Sequence, residues 1–196
     1  MSTQLEIINF ALDHLDEEYA IDENENRPAV LLLTRNFAQT RKSLLRRHPW
    51  NFAITDAKLE TPTARDYGWD YEYDLPALCL RLLPLRADEN HEGYIQKYEL
   101  RGRKILTNEG ENIHIRYVQD ITDAEDLTDP LFVDALALSL ALRAAHAITR
   151  KNSYVERIEA MFRMVMDQAQ LIDSLEGTPE DANGDYWDNA RHGGTY

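Results

Sequence analysis

An α+β fold is predicted by three observations: helical spacing of apolar residues at both ends of the chain, two-residue alternation between them, and a polar, glycine-containing C-terminus. The expected architecture is a bundle of about four helices with an inserted small antiparallel β-sheet domain and an extended C-terminal arm. Residues 1–49 and 121–176 are assigned to the bundle, 50–120 to the β-rich insertion and 177–196 to the arm.

The first helix opens at Thr3-Gln4-Leu5-Glu6, a capping box, and carries Leu5, Ile8, Leu12 and Leu15 on one stripe. The acidic stretch from Asp16 to Asn26 breaks that pattern and reads as a solvated loop. Pro28 suits the first position of a second helix, whose buried face is Val30, Leu33, Phe37 and Leu44 and whose stop is His48-Pro49. Trp69, Tyr71, Tyr73 and Leu75 alternate with polar residues as in a half-buried strand, and Leu78 to Leu83 form a second, more buried one. Tyr94 to Leu100 and Lys104 to Thr107 flank Arg101-Gly102-Arg103, a tight hairpin that needs positive φ at Gly102. Ile113, Ile115 and Tyr117 give one more strand.

Thr128-Asp129-Pro130 caps a third helix, Pro130 to Thr149, which is apolar on most sides and therefore central to its bundle or assembly. Ser153-Tyr154-Val155-Glu156 reads as a second capping box, opening a fourth helix that runs to Gly177. The expected common core is Leu33, Phe37, Leu136, Leu140, Ile158 and Phe162. In the arm, Glu180, Asp181, Asp185 and Asp188 stand against Arg191, with Tyr186 and Trp187 as aromatic anchors. Such a composition does not repay its ordering entropy alone, so the arm is expected to order against a partner.

The 196 residues can bury roughly 70% of the surface of the unfolded chain, so no staple is required. A formal charge of −14 argues against a nucleic-acid binder over the whole surface. The single cysteine, Cys79, excludes an internal disulfide framework and reads as a small buried hydrophobe. No secretory signal is expected from the first residues, and the apolar stretch from Leu131 to Leu142 reads as too short to span a bilayer.

Specific chemistry is sparse. Asp22-Glu23-Asn24-Glu25-Asn26 starts like a calcium loop, but Arg27 and Leu33 occupy the positions that need glycine and a bidentate glutamate. Asp181-Ala182-Asn183-Gly184-Asp185 fails in the same way at Tyr186 and His192. The six histidines lack ligand spacing, and neither a nucleophile elbow nor a phosphate loop is present. No enzyme, cofactor or metal is expected. One charge feature is informative: Arg27 to Thr55 contains no acid, and Arg35, Lys42 and Arg46 fall at helical spacing opposite the apolar face. The stripe is either a solvated face balancing acids elsewhere, a dock for an acidic protein surface, or a phosphate contact.

His48-Pro49-Trp50-Asn51-Phe52-Ala53, directly after a basic helix, resembles an element of the podovirus tail tubular protein A family. Tyr71 to Pro76 with Cys79-Leu80-Arg81-Leu82, Tyr98 to Thr107, and Asp129 to Ala137 resemble three further segments of that family in the same order. Trp187-Asp188-Asn189-Ala190-Arg191 is similar to its terminal segment, and the match covers roughly residues 4–175 besides. Leu78 stands where the family commonly carries an acid, and the sequence after Arg191 departs from it.

The resemblance implies a structural head-to-tail adaptor of a short-tailed bacteriophage, located in the virion after synthesis in the host cytoplasm. Implied partners are the portal protein, the tail nozzle protein and further copies of the chain in a dodecameric ring that closes the filled head. DNA would pass through its lumen without sequence-specific binding, and no membrane is involved. Arg35, Lys42, Arg46, Tyr186 and Trp187 are the expected interface residues. Two alternatives remain at this point: an adaptor that also hydrolyses peptidoglycan, and a DNA-packaging accessory using the basic helix.

Overall fold

The computed structural model describes residues 3–84, 95, 97–110 and 112–176. Its elements run α1 (Gln4–Asp13), α2 (Pro28–Arg47), β1 (Ile54–Leu59), β2 (Thr63–Ala64), β3 (Tyr71–Asp74), β4 (Cys79–Leu83), β5 (Glu99–Arg101), β6 (Lys104–Thr107), β7 (Ile113–Gln119), α3 (Pro130–Thr149) and α4 (Asn152–Glu176). The fold is α+β, as the periodicities predict.

Thr3 caps α1 through a reciprocal box with Glu6. The loop after α1 is not wholly solvated. Asn9 donates from Nδ2 to the Ala20 carbonyl and accepts from the Ala20 N–H, which pins a buried Ala20 against the bundle. Asp129 caps α3, accepting from the backbone N–H groups of Leu131 and Phe132. Arg150 ends that helix in the left-handed region, at φ 56°. The fourth helix then begins at Asn152, so Ser153 lies inside its first turn and the expected capping box does not set its start.

α3 packs against α1, α2 and α4, which accounts for its nearly continuous apolar surface. All six expected core residues are buried in one cluster that the four helices share. By length and composition the 20-residue α3 is apolar enough to cross a membrane, contrary to the expectation from Leu131–Leu142 alone; its packing among three helices fits a core helix equally well.

The β region forms two antiparallel sheets instead of one. The first has the order β1-β7-β4 and the second β2-β3-β6-β5. Tyr73 and Ile105 of the second sheet bury against Cys79, Ile113, Ile115 and Tyr117 of the first, giving the sheets a small core of their own. β7 alternates: Ile113, Ile115 and Tyr117 face that core, while Val118 joins the helical one. A register shift between Cys79 and Arg81 lets β4 do the same. Cys79 and Leu82 face the sheet core, and Leu80 and Leu83 face the helices, an arrangement that strict two-residue alternation forbids without an inserted residue. β4 and β7 are the strands that reach α2.

Candidate functional site: a cationic groove

The last two turns of α2 carry Lys42, Arg46 and Arg47. The two arginines lie at the helix C-terminus, where the backbone dipole favours positive charge. Beside them the β5–β6 turn delivers Arg103, and α3 contributes Arg143. The five cations line a groove of about 800 Å³. Its apolar surface comes from Leu80, Leu142 and Phe162, with the Arg47 guanidinium 5.5 Å above the Phe162 ring centroid. Among the described residues no acidic side chain lines the groove.

Little within the described residues neutralises this charge. Lys42 Nζ lies 3.4 Å from Asp120 Oδ2, but the other oxygen of Asp120 is taken at 3.0 Å by Arg41. Arg46 donates to the Leu80 carbonyl, and Arg103 donates to the carbonyls of Pro76, Ala77 and Cys79. These carbonyls fix the positions of the two guanidinium groups without removing their net charge. Arg46, Arg47, Arg103 and Arg143 meet no carboxylate among the described residues. The charge of such a concave cluster suits an anion, and its apolar floor suits one that also carries aromatic or aliphatic groups.

Arg41 belongs to the same acid-free run but has a different task. It is buried, donates to Asp120 Oδ1 and to the Thr122 carbonyl at 2.8 Å, and so ties α2 to the chain leaving β7. Of the expected stripe, the structure brings Lys42 and Arg46 together and separates Arg35. Arg35 lines a second groove of about 970 Å³ between the loop after α1, the start of α2 and the end of α3, where Glu17 and Glu23 also lie. Tyr186 and Trp187 lie outside the described residues. Arg103 and Arg143 were not legible as site residues. The first read as half of a hairpin turn and the second only as the charge that ends the apolar stretch within α3, and only the tertiary fold sets both beside α2.

Other reactive groups are committed elsewhere. Cys79 is buried, and burial holds its thiol above the usual range, which makes it a poor nucleophile. Glu72 is held below the ordinary carboxylate range by hydrogen bonds from Lys104 and Arg65. Among the described residues no group of three His, Cys, Asp or Glu side chains is arranged to hold a metal ion. In the calcium-like loop, Asp22 accepts from the Asn24 N–H, Glu23 accepts from Gln4, and Glu25 pairs with Arg27. No protein-family model matches this chain, and no curated protein matches it.

Proposed function

We propose that the chain is a structural head-to-tail adaptor of a short-tailed bacteriophage, a ring subunit between the portal and the tail nozzle. What carries this reading is the resemblance of the segments around His48-Pro49-Trp50-Asn51, Tyr71–Leu82, Tyr98–Thr107 and Asp129–Ala137 to segments of the podovirus tail tubular protein A family in the same order. The exposed surface supports it independently. α4 presents Met164, Leu171 and Leu175 on one stripe, 65%, 61% and 73% exposed. A second set of exposed apolar residues, Tyr19, Ile21 and Leu31, lies in the loop after α1 and the first turn of α2.

These two areas sit towards opposite ends of the bundle. α4 begins beside the end of α1, where Tyr154 bonds Asp16 and Arg157 donates to the His14 carbonyl. It finishes beside the end of α2, where Asp173 meets His48 and Asn51. Two different patches at opposite ends favour heterologous association, which closes into a ring when the rotation permits.

The test is the native mass of the purified chain, alone and mixed with the portal protein of a short-tailed phage. A portal complex carrying a ring of copies is expected. A mass unchanged on mixing with the matching portal overturns the reading.

A further inference from the structure

We infer that the cationic groove binds this chain's own acidic C-terminal segment, residues 177–196, folded back from the end of α4. The inference does not depend on the adaptor reading. It starts from an imbalance among the described residues: five cations line the groove, and one carboxylate, Asp120, serves both Lys42 and the buried Arg41. The complementary charge is at the other end of the sequence, where Glu180, Asp181, Asp185 and Asp188 stand against Arg191.

The place where the helix ends favours the same occupant. Asp173 is bonded to His48 and Asn51, immediately after Arg46 and Arg47 in the chain. Glu176, the last residue of α4, is less than one turn further on. Phe162 on the groove floor is about 21 Å back along the α4 axis, and the segment can extend about 65 Å. Reach is therefore ample. Tethering also gives the segment an effective concentration on the millimolar scale, so weak intrinsic contacts suffice.

Chemistry discriminates this occupant from a nucleic acid. The floor of Leu80, Leu142 and Phe162 gives a phosphate backbone nothing to bury, but it accepts Tyr186 and Trp187 while the acids flanking them reach Arg46, Arg103 and Arg143. Arg47, already stacked on Phe162, extends the aromatic surface by a cation that a further ring can cover.

The test uses the full-length chain in two forms: wild type, and one carrying Glu180→Gln, Asp181→Asn, Asp185→Asn and Asp188→Asn. The probe is a fluorescent peptide with the wild-type sequence of residues 177–196. The neutralised form, its groove vacated, is expected to bind the peptide about tenfold more tightly than wild type, with affinity falling as salt rises. Arg143→Glu in the neutralised form, or Arg47→Gln where that variant misfolds, is expected to weaken binding by about the same factor. Wild type is expected to be monomeric by mass under the same conditions. Equal binding by the two forms overturns the inference, as does binding indifferent to both arginine substitutions. So does wild-type self-association that neutralisation abolishes, or tighter binding of a DNA duplex than of the peptide by the neutralised form.

Discussion

Asp173 fastens the end of α4 to the segment that follows α2. One oxygen accepts from the Asn51 N–H at 2.9 Å, the other meets His48 Nε2 at 2.9 Å, and its carbonyl accepts from the Asn51 side chain. Trp50, between these residues, is fully buried, donates to the Leu44 carbonyl and packs edge-on against Phe132. The His48–Phe52 run is thus a structural clasp, which gives a physical reason for its residue types. Asp173→Ala removes the buried carboxylate that accepts from the Asn51 N–H and meets His48, and is expected to cost about 1–3 kcal/mol, read as a shift in the urea midpoint. His14 offers a pH test. Burial lowers its pKa, against the opposing pull of Asp13 and Asp134, so the folded state favours neutral imidazole. A lowered folded value means stability that is present above the ordinary histidine range and is lost as pH falls through it. His14→Gln is therefore expected to flatten the fall in stability between about pH 7.5 and 5.5 relative to wild type. An unchanged slope refutes that role. None of these partnerships was legible in the sequence, because Asp173 and Asp120 lie 122 and 79 positions from the groups they bind.

At the scale of elements, the strongest local signals identified what they should. The β5–β6 connection has Gly102 at φ 63° in the first central position, the pattern of a type II′ turn, and it sets Arg101 opposite Lys104. Gly102→Ala forces a side chain into the left-handed region and is expected to destabilise the chain by about 1 kcal/mol, measured by thermal unfolding. An equal or higher midpoint excludes that strain. β1 was missed. In Ile54-Thr55-Asp56-Ala57-Lys58-Leu59 the alternation rests on Ala57, a poor strand former, and the pairing with all of Ile113–Val118 supplies what propensity does not. The division into two sheets was also illegible, since it turns on the register shift in β4 and not on any change of composition. Likewise the α4 start moved from the expected cap to Asn152, because the left-handed Arg150 turns the chain before Ser153 is reached. Boundaries set by chain reversal lie outside what capping residues alone predict.

For the whole molecule, the proposed association of copies can be tested on the charge and apolar surfaces together. The basic run in α2 is not one face available to a partner. Lys42 and Arg46 hold Asp120 and the Leu80 carbonyl within the chain, and Arg35 stands apart among acids. Reversing all three charges therefore perturbs the fold as well as any contact, and gives no clean test of assembly. The apolar areas do. If copies join head to tail, the α4 stripe of one chain meets the Tyr19–Leu31 area of the next, and each copy uses two different surfaces. Leu171→Lys with Leu175→Lys then blocks one surface, and Ile21→Lys with Leu31→Lys blocks the other. All four residues are substantially exposed, so each variant is expected to fold with stability within about 0.5 kcal/mol of wild type. Each variant alone is expected to remain monomeric under conditions where wild type assembles. An equal mixture is expected to stop at dimers, because one intact surface remains on each partner and nothing remains to extend the chain. Two-fold association through a single patch gives another result: one of the variants assembles as wild type does, and the mixture adds nothing. Native mass of the two variants and of their mixture separates these outcomes, and normal assembly of either variant alone refutes head-to-tail contact through these surfaces.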